Sequence, residues 1–308
     1  MTGARTVLLA LVAAVLALAL GLALGAGPVV GRSDAARADR TDRLAARVAR
    51  LDDRVAGLQA QAGAADRMAA ALAGPLTTGR LTGHSVLLVR TPGATQADVH
   101  HARAAVLGAG ASLTGTLSLT PTYLDPAKAS SPLEDLALRL VPPGVTFGPG
   151  ATSIERVGTV LARSTVSQSP PDATDQDAAE LIAGLHELGA VRLTGDPGRL
   201  AELAVVVTGS REKADGKDAV LALVKALDAA GKGAVLTGPG TTATALHWAR
   251  SGDVGGASSV DSADSAGGSV ATVLALVEQL AGKQGAYGVG AGATAVVPAS
   301  VLTTAPPG

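Results

Sequence analysis

Cysteine is absent from this 308-residue chain, and methionine occurs only at Met1 and Met68. No disulfide framework, thiolate metal site or cysteine nucleophile can therefore be built from it. The lack of thiols leaves the redox compartment open and permits an extracytoplasmic site. Aromatic residues are also scarce: Tyr123, Phe147, Trp248 and Tyr287 are all there are. Four are too few for base-stacking platforms or for the two aromatic girdles of an outer-membrane barrel. An excess of charge is missing as well. With 25 basic and 26 acidic side chains the net charge is −1, so nothing electrostatic favours nucleic acid or anionic lipid. Neither G-x-S-x-G nor H-E-x-x-H occurs, and Ser210 has no evident base. The chain reads as a non-enzyme. Its 47% hydrophobic content is enough for a sizeable core, and its length fits one or two domains.

The first feature present is an uncharged stretch over residues 6–30. Within it, residues 7–24 are Ala, Val and Leu with one Gly. That run reaches the length of a spanning helix, roughly 17–25 residues. A cleaved signal peptide is the alternative, with its shorter apolar region of about 7–15 residues and small residues at Gly25, Ala26 and Gly27 for cleavage. Run length favours a retained anchor, with residues 1–31 as a cytoplasmic stub and a transmembrane helix. No second run of this length exists, which excludes a multi-span transporter. Only Arg5 precedes the segment, whereas Arg32, Arg37, Arg40, Arg43 and Arg47 follow it. The positive-inside count alone would put the bulk of the chain in the cytoplasm.

A heptad pattern follows, over residues 32–75. Leu44, Val48, Leu51, Val55 and Leu58 alternate at spacings of four and three. With Val at a and Leu at d, the pattern favours a two-stranded parallel coiled coil. The register continues through Ala62, Ala65, Ala69 and Leu72. Arg47 falls at g and Asp52 at the next e, where a parallel partner would pair them. Gly57 and Gly63 weaken the helix by about 1 kcal/mol each relative to Ala, and residues 75–79 end it. The alternative is an amphipathic helix packed on its own domain. Self-association is favoured, since an anchor would hold such helices parallel and concentrated. The expected partner is therefore a second copy, forming a homodimer through this seam.

Residues 80–302 alternate strand and helix signals. Strands are expected at 85–90 (SVLLVR), 112–119 (SLTGTLSL), 203–208 (LAVVVT), 234–237 and 294–297. Helices are expected at 95–109, 132–140, 152–163, 174–188, 217–230, 241–249 and 269–281. Residues 255–268 are rich in Gly, Ser and Asp, with one short apolar step at 258–260. This alternation predicts an open, mostly parallel α/β sheet. Residues 303–308 are expected to form a disordered tail.

Several residues carry candidate chemistry. Thr95 with Asp98, Ser131 with Glu134, and Thr174 with Asp177 have capping-box spacing. Asp172, Asp175, Asp177 and Glu180 look like a cation cluster but lack the glycine-bearing spacing of a calcium loop. Gly238-Pro239-Gly240-Thr241-Thr242-Ala243, with Asp261 about twenty residues on, fits a dinucleotide fingerprint. Pro239 removes one amide from any phosphate cradle, and a tight turn with a Thr cap explains the same residues. His100 and His101 are the only adjacent histidines. Consecutive helical positions diverge by about 100°, so the pair would need a further ligand to bind copper(II). His84 and His186 fit structural roles. The glycine-rich loop at 285–292, with Tyr287, Gly288 and Gly290, is either a chain of turns or a contact for a ligand or partner.

The order of segments resembles the actinobacterial copper transporter family, mycobacterial copper transport protein B-like (MctB-like). The stretches that carry it are LALALGLALGAG at 16–27, GHSVLLVRTPGA at 83–94, GASLTGTLSLTPTYLD at 110–125, SSVDSADSAGGSVATVLALVEQL at 258–280 and GAYGVGAGATAVVP at 285–298. The resemblance implies copper homeostasis or transport across the cell envelope. It places the bulk of the chain outside the cytoplasmic membrane as a single-pass protein, against the arginine count. It also implies a second role, a non-enzymatic scaffold that binds a membrane partner and regulates cell-wall hydrolysis during cell separation. It transfers no metal-ligand motif. One spanning helix cannot make a pore alone, and copper(I) prefers thiolate and thioether ligands that this chain hardly has. Copper, the one metal implied, would therefore engage histidines and carboxylates, a membrane or envelope partner, or an oligomer.

Overall fold

The computed structural model describes residues 29–125, 132–170, 175–196 and 198–299. They fall into two compact units, the first ending at Ala64 and the second starting at Ala65. The first unit is helical throughout, the leading part of one continuous helix, α1 (Val29–Thr77). Neither Gly57 nor Gly63 interrupts it. Pro75 does not end it either. So near the helix terminus a proline forfeits one amide bond, and Thr77 recovers a link by donating its hydroxyl to the Ala73 carbonyl at 2.7 Å.

The second unit is built around a seven-stranded sheet. Its strands are β1 (Ser85–Arg90), β2 (Ser112–Leu119), β3 (Val191–Gly195), β4 (Leu203–Val207), β5 (Ala234–Thr237), β6 (Ser258–Val260) and β7 (Ala286–Tyr287), in the order β3-β2-β1-β4-β5-β6-β7. Its helices are α2 (Gln96–Gly108), α3 (Pro121–Leu124), α4 (Glu134–Arg139), α5 (Ser153–Arg163), α6 (Gln176–Glu187), α7 (Lys217–Ala230), α8 (Thr244–Ser251) and α9 (Ala266–Leu280). Every neighbouring pair of strands runs parallel except β2 and β3.

Alternation along the central strands explains the two cores. Val86, Leu88, Val205 and Val207 face α2 and α9, meeting Val99, Val106, Ala271 and Leu276. Leu87, Val89, Ala204 and Val206 face the other layer, meeting Val157, Leu161, Leu223 and Leu227 of α5 and α7. With both faces covered, β4 is apolar throughout and β1 is apolar from Val86 to Val89 between Ser85 and Arg90, as buried parallel strands require. The end of α1 joins this unit. Ala73 and Leu76 pack on Val270 and Leu274 of α9, and Asp66 accepts the Ala266 amide at 2.6 Å.

The structure corrects the expected fold in three places. First, no helix among the described residues is long and apolar enough to cross a membrane. The expected transmembrane helix at 7–24 lies outside those residues, so a membrane-spanning element is no part of the fold described. Second, the sheet is mixed. Edge strand β3 was not anticipated because it buries Val191 but exposes its neighbours, leaving no apolar run. Third, the strand expected at 294–297 is a single bridge from Ala295 to Tyr287, and the edge strand is β7 instead. The expected heptad region lies within the single helix α1, and Leu72, where the register ends, is also exposed. From Asp66 onward the helix is engaged with α9.

The Thr95–Asp98 capping box forms, and a second one, Thr152 with Glu155, went unnoticed in the sequence. Ser131, Thr174, Asp172 and the tail at 303–308 lie outside the described residues. Asp175 is the cap of α6, accepting the Ala178 amide at 3.1 Å.

Candidate functional site

The first candidate is the heptad stripe. Leu44, Val48, Leu51, Val55 and Leu58 are 62%, 55%, 53%, 49% and 59% exposed. Exposed aliphatic side chains at this spacing are what the expected seam requires of its residues.

The second candidate is the histidine pair. His100 and His101 lie on the solvent side of α2, their rings edge to face with centroids 6.4 Å apart. Among the described residues no group of three or more His, Asp or Glu is placed to hold a metal ion. The other histidines are dispersed. His84 Nδ1 lies 2.5 Å from Glu202 Oε2, beside Lys232, which also pairs with Glu202. Burial pushes the Glu202 carboxyl up, and the bonds from Lys232 and His84 outweigh that and lower it. His186 Nδ1 sits 3.2 Å from the Val191 carbonyl, fixing the start of β3.

The third candidate, the glycine-rich loop, is organised around a buried ion pair that sequence reading missed. Asp261 is fully buried after β6, and Arg250 Nη2 of α8 donates to its Oδ2 at 3.0 Å. The amides of Val289 and Gly290 donate to the same carboxylate at 3.0 and 2.8 Å, and Ser262 adds its hydroxyl. Burial would raise this carboxyl, but these donors hold it below the usual carboxylate range. Arg250 also donates to the carbonyls of Tyr287 and Ala291. Gly288 adopts φ +121°, and a Cβ there would run into the Asp261 carboxylate. Tyr287 is buried, its hydroxyl donating to Glu278. Val289 in the loop and Val296 just after it are exposed.

The Gly238 to Ala243 turn is closed on itself. The Gly240 amide donates to Asp264 at 2.8 Å, and the Gly240 and Gly238 carbonyls accept from Ser262 and Ala263. A Cβ on Gly238 would sit 2.7 Å from the Thr208 methyl. Gly238 serves close packing and Gly240, with φ +58°, serves the turn, while Asp261 is committed to Arg250 rather than to a ribose.

The comparisons with known proteins agree over nearly the whole length. The family model described as copper transport outer membrane protein, MctB, matches residues 1–298. A protein of Mycobacterium tuberculosis named copper transporter MctB is 28% identical over 301 residues, covering 93% of this chain and 96% of that protein. A Mycobacterium leprae protein of the same name is 28% identical over 236 residues, covering 70% of this chain and 74% of its own. These relatives are named as transporters, not enzymes. With a family model spanning nearly all of its length, the chain belongs to the MctB family.

Proposed function

We propose that this protein serves copper homeostasis in the cell envelope as a non-enzymatic component that works by association. Two copies pair in parallel through the α1 heptads, and the α/β unit works on the extracytoplasmic side. The exposed Leu44–Leu58 stripe carries this reading. Among the described residues it is the one exposed apolar surface with both the spacing and the residue types of a dimer seam. Pairing also supplies what one chain lacks. Imidazoles suit copper(II), and two copies bring four exposed imidazoles, two each of His100 and His101. Copper is cargo in this account, and transfer across a membrane falls to a partner.

A copper titration of the full-length protein tests the metal half. Copper(II) should bind with submicromolar affinity in a competition assay and lose at least tenfold in the His100→Ala, His101→Ala double variant. Equal affinity in the double variant would remove the pair. The same seam serves the scaffold reading, in which a membrane partner is held and cell-wall hydrolysis is regulated. Copper binding no tighter than that of the buffer, with the dimer intact, would favour that reading.

A further inference from the structure

The strand order reverses between β1 and β4. From β1 the chain crosses through α2 to β2 on one side, and from β4 it crosses through α7 to β5 on the other. In open parallel sheets the loops beyond the carboxyl ends of two such strands diverge and leave a crevice. Here that position holds a cavity of about 470 Å³, within the size range of small-molecule sites, roughly 300–1,000 Å³.

Its frame is rigid. Thr91 and Thr208 end β1 and β4 fully buried. Both hydroxyls donate to Glu212 Oε1, Thr208 at 3.0 Å, and the Gly209 amide adds a bond at 3.3 Å. A Cβ on Gly209 would run into the Gly93 carbonyl, so the two loops touch backbone to backbone. Arg90 Nε ties the first loop by donating to the Ala94 carbonyl at 2.9 Å.

The lining selects a chemistry. Pro121 and Leu124 give an apolar wall beyond β2, closed by the Asp125 carboxylate, and the wall beyond β4 carries Arg211, Glu212, Lys213 and Asp215. Arg211 and Lys213 are exposed and make no ion pair among the described residues. A simple anion would meet Glu212 and Asp215. A simple cation would meet Arg211 and Lys213. A small molecule with both charges satisfies each set, its carboxylate on the cations and its ammonium on the acids.

We propose that this crevice binds a small zwitterion of the amino-acid or short-peptide class, with a modest apolar side chain lying on Pro121 and Leu124. The proposal is independent of the copper and dimer readings, which their own measurements decide. The probe is the dipeptide alanyl-leucine, titrated against the full-length protein by calorimetry. Its N-acetyl and C-amide forms serve as controls. The free dipeptide should bind saturably, and each blocked form about tenfold more weakly, as expected for losing about 1.4 kcal/mol. Arg211→Ala with Lys213→Ala should abolish binding without changing the melting temperature, since both side chains are exposed. No binding by the free dipeptide, equal binding of the blocked forms, or full binding by the double variant would each overturn the proposal.

Discussion

The two units treat the same residue types in opposite ways. In the helical unit, Leu51 and Val55 are about half exposed, whereas in the α/β unit Leu88, Val205 and Leu223 are nearly or fully buried. An exposed aliphatic side chain forgoes roughly 1.5–3 kcal/mol of burial. The α/β unit recovers that energy within one chain by covering both faces of its sheet. In the proposed dimer the heptad stripe recovers it from a second copy. On the proposed reading, the difference separates what this protein needs in order to fold from what it needs in order to act.

The largest effect should come from breaking the side that needs a partner. Leu51→Asp with Val55→Asp places four carboxylates in the seam of a pair and should reduce the full-length protein from dimer to monomer in light scattering. The α/β unit should keep its melting transition in the same variant. An unchanged mass would refute the seam.

Next in size is the buried Arg250–Asp261 pair, which belongs wholly to the self-sufficient side. Arg250→Ala leaves a buried carboxylate with fewer donors and should cost about 3–5 kcal/mol in chemical denaturation. The dimer should persist under native conditions. The acid limb gives the sign. Asp261 is held below its unfolded value, so its contribution is present above about pH 4 and is lost as pH falls through the folded value. Asp261→Asn should therefore flatten the fall in stability below that pH. A fall as steep as in the parent chain would show that Asp261 does not carry it.

The smallest effect sharpens the comparison from within the core. Tyr123 is fully buried, and its hydroxyl finds no partner among the described residues. Burial pushes its ionisation up. An unsatisfied buried hydroxyl costs about 1–3 kcal/mol, so Tyr123→Phe should raise stability by about 1 kcal/mol. A loss of stability would mean that the hydroxyl has a partner.

The sequence made some of this legible and hid the rest for physical reasons. β1, β2, β4 and β5 were readable because strands buried on both faces, or alternating strictly, leave a pattern in the chain. The heptads and the Thr95 box were readable because they are local. Edge strand β3 was not, since Val191 and Leu193 alone supply its pattern. The end of α1 was legible as well, since the helix stops at Thr77, two residues past Pro75 and within the 75–79 stretch expected to end it. The Arg250–Asp261 clasp was invisible because it joins α8, β6 and the glycine-rich loop across gaps in sequence. Asp261 had been noticed only for its distance from Gly238, a spacing that the fold uses for something else. The crevice between β1 and β4 is likewise a product of strand order, which no single segment declares.

The central claim is the parallel pairing of α1, and the absence of cysteine makes it directly testable. Leu44→Cys and Leu58→Cys introduce single thiols at d positions near either end of the exposed stripe. In a parallel, in-register pair each residue faces its own copy, so oxidation should give disulfide-linked dimers of both variants in high yield. In an antiparallel pair the two ends would meet each other, and linkage would appear only when the two variants are mixed. Dimers of each variant alone are the result this account predicts. Linkage confined to the mixture, or no linkage at all, would contradict it.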